Sequence, residues 1–137
     1  SNSNLIQTKL IESNKNSLIG YQNLIVNFPF IKNREYFFYM SQQTFNNNYE
    51  NIMCFWVLLN PDRFKNNLTL SKENIYLKHG AGIWKWDNSD LSNGYDISYI
   101  LTMHPGGNLP DFIIDMINKT GIKGLFSDVQ KKVYSIQ

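Results

Sequence analysis

The sequence predicts an α+β domain, a meander of antiparallel strands followed by one long amphipathic helix. Two observations carry that expectation. Between Ile19 and Met103 apolar residues alternate with polar ones or gather in runs of strand length, and beyond Pro110 their spacing changes to i, i+3, i+4. Clusters rich in Asn, Pro, Gly and Ser separate the segments.

The elements follow in order. Residues 1–18 read as an N-terminal remnant or linker, with the domain proper over 19–137. In "IGYQNLIVNFPF", residues 19–30, Leu24, Val26 and Phe28 share one face while Asn23 and Asn27 occupy the other, the pattern of a half-buried strand. Pro29 closes it, because proline has no N–H to give a ladder, and "IKN" turns the chain. "REYFFYMSQQ" from Arg34 is a second strand, apolar on both faces, that forms an antiparallel hairpin with the first. Residues 52–59 make a third, central because both faces are apolar. The polar connection "NPDRFKNNLTLSKEN" has no period, and loops of that length within a compact domain tend to be functional or mobile. "IYLKHGAGIWKWD" is one bent strand or a hairpin, with Gly80 and Gly82 permitting the bend. Residues 95–103 alternate most regularly, with Tyr95, Ile97, Tyr99, Leu101 and Met103 against Asp96, Ser98 and Thr102. Pro110 then suits the first turn of a helix and Asp111 its positive end. Phe112, Ile113, Met116 and Ile117 begin an apolar stripe that Leu125, Phe126, Val129 and Val133 continue past Gly121 and Gly124.

Composition removes several function classes. With a net charge of +2 and 18% charged residues, the chain lacks the dense basic stripe that nucleic acid requires. Its 137 residues fit one domain, and no apolar run approaches the roughly 20 residues of a membrane-spanning helix. Cys54, the single cysteine, sits in "IMCFWVLL" as a small hydrophobe. Neither His79 nor His104 has a second ligand at metal spacing, so no metal and no cofactor is implied. In "HPGGNLPDFIIDMI" no lysine follows the glycines as a Walker loop needs, so the pair reads as the corner between strand and helix. Glu35, Asp87 and Asp96 are carboxylates that only the tertiary structure could bring together. What stands out is 15% aromatic residues, material for an ordinary core or for a ligand cavity.

Two separated stretches carry a family resemblance. "FPFIKNREYFFYM" and "ISYILTMHPGGNLPDFIIDMINKTGIKGLFSDVQKKV" resemble the START lipid-transfer domain over roughly residues 19–134. The first matches the family's aromatic-Pro turn followed by Arg, with Glu35 where the family has Asp. The second matches its Asp-Pro-x-Gly-x-(Ile/Leu)-Pro turn through Pro105, Gly107, Leu109 and Pro110. Met103 stands for the family's usual Asp, and Met40 for a second Arg.

The resemblance implies a helix-grip fold, a curved antiparallel sheet wrapped around the C-terminal helix and enclosing a tunnel for one lipid, with binding and transfer but no catalysis. It implies that the chain is the C-terminal portion of such a domain, its N-terminal part removed, supplied as a separate fragment, or replaced by association in a homo-oligomer. Arg34, Tyr36, Phe38 and Met40 share a strand face. If that face lines the cavity, Arg34 needs an anionic partner, and a phospholipid's phosphate fits its planar fork. Trp84, Trp86, Tyr99, Leu101, Phe112 and Met116 complete the expected lipid-binding set, with the tryptophans placed to face a choline by cation–π contact. Transient contact with a membrane surface follows from the transfer role. An enzyme of the related cyclase or hydrolase type, or a lipid-sensing regulatory module, would use the same scaffold.

Overall fold

The computed structural model describes residues 6–45, 51–64, 70–88, 95–112, 114–115, 127 and 131. The chain divides into two units, one spanning Ser3–His104 and the other including Pro105–Gln137. The first unit is a sheet of seven strands: β1 (Ile6–Ser13), β2 (Ser17–Leu24), β3 (Arg34–Phe45), β4 (Asn51–Leu59), β5 (Ile75–Tyr76), β6 (Gly80–Asn88) and β7 (Tyr95–Met103). Their order is β1-β2-β3-β4-β6-β7, antiparallel throughout, with β5 added in parallel beside the start of β3.

The fold class is therefore not α+β. Among the described residues there is no helix of seven residues or more, so a sheet gripping a long C-terminal helix is not the fold. Asp111, Phe112, Ile114 and Asp115 have helical backbone, and the Ile114 N–H donates to Pro110 O (3.3 Å). Ser127 and Lys131 also have helical backbone, and the expected stripe beyond Phe112 lies outside the described residues. That stripe crosses Gly121 and Gly124, each disfavouring a helix interior by about 1 kcal/mol relative to alanine. The corner itself is as expected, with Gly106 (φ 68°) and Gly107 (φ 67°) both in the left-handed region that glycine enters without strain.

Local chemistry sets the strand ends. Residues 6–13, within the stretch read as a linker, form an edge strand because Asn14 builds a hairpin: its Oδ1 accepts from Ser17 N (3.1 Å) and Ser17 Oγ (2.8 Å). β2 stops at Leu24 rather than running to Phe28. Asn33 Oδ1 captures the Val26 N–H (3.0 Å) and so removes it from the ladder. Phe28 O then accepts from Ile31 N (3.2 Å), closing a turn with Pro29 second and Phe30 third. Phe30 has φ 66°, a value this turn position ordinarily gives to glycine. For a phenylalanine that costs roughly 1–2 kcal/mol.

The long connection after β4 is structured where it is described. Asn60 caps a 3-10 turn over Pro61–Arg63 by accepting from Asp62 N (2.9 Å), and the turn drops Phe64 onto Phe37, with ring centroids 4.8 Å apart. The segment "IYLKHGAGIWKWD" is neither one strand nor a hairpin. Ile75 and Tyr76 leave to pair with Arg34 and Glu35, and β6 begins at Gly80.

Where β3 parts from β4, the Tyr76 hydroxyl fills the split. It accepts from Phe37 N (3.0 Å) and donates to Leu59 O (2.6 Å), satisfying two buried backbone groups at once. Tyr76→Phe strands both groups and is expected to lower unfolding free energy by about 1–3 kcal/mol, read from the urea midpoint.

Phe37, fully buried, packs with Tyr21 and Phe64 on one face of the sheet, while the main cluster lies on the other, where Tyr36, Phe38, Trp56, Leu58 and Leu77 are buried. Glycines make this possible. Gly20 pairs with Phe38 and Gly82 with Trp56, and each aromatic ring occupies the space a side chain on its partner would fill. A Cβ at Gly20 would sit 2.5 Å from the Phe38 ring, and one at Gly82 would collide with the Trp56 indole. Two of the large rings are thus covered in part by the backbone of the neighbouring strand. Gly82→Ala is expected to displace the indole and cost about 1–3 kcal/mol, visible as a lower denaturation midpoint and a red-shifted tryptophan emission.

Candidate functional site

Pairing register assigns every strand residue to one of two faces. Met40 pairs with Trp56, Phe38 with Leu58, Cys54 with Trp84, Ile52 with Trp86 and Trp84 with Tyr99, while Gly82 pairs with Leu101. Directly opposed residues share a face. Arg34, Tyr36, Phe38, Met40, Trp84, Trp86, Tyr99 and Leu101, eight of the expected site residues, therefore lie together. Phe112 belongs to the other unit and is 62% exposed, and Met116 lies outside the described residues.

This face is apolar and aromatic to an unusual degree. Leu18, Leu24, Met40, Trp84, Tyr99, Leu101 and Met103 pack, partly buried, around the buried cluster. Trp84 stacks on Tyr99 at 4.1 Å and 14°, and Tyr99 Oη accepts from Trp56 Nε1 (3.0 Å). Tyr36 Oη donates to Gln22 Oε1 (2.7 Å). The polar atoms of Tyr36, Trp56 and Tyr99 are thereby bonded within the face. Among the described residues of β2, β3, β4, β6 and β7, Arg34 is the one charged residue that the register gives to this face. It stands at the margin, where β3 begins, 4% exposed, and its Nη1 donates to Lys32 O. Burial lowers its pKa from the ordinary value.

Sequence reasoning did not assign Trp56, Leu58, Leu77, Gly20 and Gly82 to this site. The parity of Trp56 and Leu58 within β4 carried a signal, but pairing of each glycine with a ring depends on strand register. Leu77 joins the cluster only because β5 docks beside β3.

The opposite face is organised by Glu35, 1% exposed. Its Oε2 accepts from Tyr21 Oη (2.6 Å) and its Oε1 from Ser71 N (3.0 Å). Glu35 and Asp96 thus lie away from the aromatic face, and Asp87 pairs with Asp96 across β6 and β7, so these carboxylates do not converge with Arg34 there. His104 N donates to His79 O (3.0 Å), bringing the two histidines together at an exposed corner. A hollow of about 70 Å³ lined by Glu12, Ser13, Asn14, Ser17, Leu18, Ile19 and Tyr39 is far below the several hundred Å³ a lipid-sized ligand fills. Among the described residues no helix is long and apolar enough to cross a membrane.

Compared with models of known protein families the chain matches none, and it matches no curated protein. The START resemblance accordingly rests on the motif residues themselves.

Phenol ionisation gives the site a pH signature. Burial raises the pKa of Tyr36, with Tyr99 adding to it, and burial also raises those of Tyr99 and Tyr76. Tyr21 is raised by burial and then by its hydrogen bond to Glu35. The folded state therefore keeps these protons to higher pH than the unfolded chain, whose phenols titrate near 10. Stability from these groups is complete below about pH 10 and is lost as pH rises toward the folded-state values. The urea midpoint should hold from pH 7 to 9 and fall above about 10, with part of the tyrosinate absorbance appearing only on unfolding.

Proposed function

We propose that the protein binds a single lipid, most simply a phospholipid, with its hydrocarbon against the aromatic face and its anionic headgroup toward Arg34, and transfers it between membranes without catalysis. The observation that carries this reading is the charge pattern of that face: aromatic and aliphatic side chains over five strands with one cation at the margin. An amphipathic ligand with an apolar body and an anionic end complements it. Arg34 has a planar fork of donors suited to phosphate, and its burial strengthens any charge-assisted contact it makes. The glycines at 20 and 82 leave room for the Phe38 and Trp56 rings on that face.

Native mass spectrometry of protein exposed to phospholipid should show one bound molecule. Trp84→Ala should lower vesicle-to-vesicle transfer roughly tenfold, as expected for losing one large apolar contact. Arg34→Leu, verified as folded by circular dichroism, should lower transfer of phospholipid while sparing that of an uncharged sterol. Unchanged phospholipid transfer in Arg34→Leu removes the guanidinium from the headgroup role, and a protein that never loads lipid rules out the reading.

A further inference from the structure

The turn Phe28–Pro29–Phe30–Ile31 holds a side chain where packing gains nothing. Phe30 is 104% exposed and Phe28 40%, yet Phe30 also occupies the left-handed conformation that favours glycine. A bulky aromatic residue kept in an unfavourable backbone state, without burial to offset it, points to a use outside the fold. The loop is built to present it. Ile31 N donates to Phe28 O, Phe28 N to Val26 O (2.8 Å), and Asn33 Oδ1 accepts from Val26 N, so the tip is braced from both sides.

The surroundings indicate what the tip meets. It projects from the end of the sheet where β2 stops, β3 begins and β4 ends, the end that also carries the Pro61–Arg63 turn and the approaches to β5 and β6. Among the described loop residues there, Lys32, Arg63, Lys72 and Lys78 are exposed, against exposed Asp62 and Glu73. Four cations to two carboxylates around a protruding ring is complementary to an anionic surface. A protein partner of ordinary affinity needs about 800 Å² of complementary patch per side, whereas a bilayer interface accepts a lone protruding aromatic flanked by cations.

We propose that this turn is a membrane-contact tip that inserts Phe30 into the interfacial region of an anionic bilayer, with Lys32, Arg63, Lys72 and Lys78 facing its headgroups. The proposal deepens the lipid-binding reading and rests on it for its purpose, though the contact itself needs no lipid on the sheet face.

Flotation of the full chain with vesicles tests the contact, and uptake of a fluorescent short-chain phosphatidylcholine, kept below its micelle concentration, separately tests lipid binding. Wild type should partition onto phosphatidylcholine–phosphatidylserine vesicles, less onto phosphatidylcholine alone, and less as salt rises. Phe30→Asn suits the positive φ, so its urea midpoint should be no lower, while partitioning falls roughly tenfold or more and short-chain uptake is unchanged. Lys32→Glu should weaken binding to the anionic vesicles only. Partitioning of Phe30→Asn equal to wild type overturns the proposal. So does a wild type that ignores vesicles, including one that uses Phe30 to capture a protein instead. If Phe30→Asn loses partitioning while neither protein takes up short-chain lipid, the membrane tip stands and the lipid-binding reading falls.

Discussion

The buried carboxylate of Glu35 is the constraint on which the rest of the sheet depends. Removing a charge from water costs several kcal/mol unless donors replace the water, and Glu35 recruits one from each side. Tyr21 reaches it from β2, and the backbone of Ser71 reaches it from the connection after β4. That second bond anchors a segment which would otherwise hang from the end of the sheet. Once anchored, Ile75 and Tyr76 pair with β3, Leu77 enters the core at 2% exposure, and the Tyr76 hydroxyl closes the gap between β3 and β4. Arg34, one residue earlier, belongs to the other face by strand alternation. The two neighbouring residues thus go to opposite faces, Glu35 bonded to Tyr21 and Ser71 and Arg34 at the margin of the aromatic face with Lys32 O as an acceptor.

That face solves its burial problem from within. Large aromatic rings on a single sheet would ordinarily require a second layer. Here two of them, Phe38 and Trp56, are laid over a glycine of the neighbouring strand, which covers part of their area. Its hydroxyl and indole donors are satisfied laterally, Trp56 to Tyr99 and Tyr36 to Gln22. The outcome is a surface that is held in shape, low in unmet polar groups and still partly open, which suits a ligand whose own bulk is hydrocarbon. Burial of Cys54 raises its thiol pKa, so the single cysteine contributes volume rather than reactivity to this face.

The residues on which the two proposals rest are close in sequence. Arg34 opens β3, and the braced turn that displays Phe30 ends immediately before it, with Lys32 between them giving its carbonyl to the Arg34 guanidinium. On those proposals, a ligand drawing on Arg34 and a bilayer drawing on Phe30 and Lys32 would act on residues within a few peptide units of one another.

Strand identity was legible in the sequence because period two is a local property: β7 runs over the residues its alternation marked, and β3 begins at Arg34 as expected. The pairing of β2 with β3, and the common face of Arg34, Tyr36, Phe38 and Met40, follow from the same alternation. Other features needed tertiary information. β2 ends at Leu24 because Asn33 takes an N–H seven residues away, and β1 exists because Asn14 can fold its own hairpin. The apolar stripe after Pro110 suggested a helix for the sheet to grip, but a stripe states only that a segment is amphipathic, and no helix of seven residues or more stands among the described residues. Local pattern determined which residues are extended and which face they share. Which glycine meets which ring, and which donors reach Glu35, are contacts between distant residues that only the tertiary structure decides.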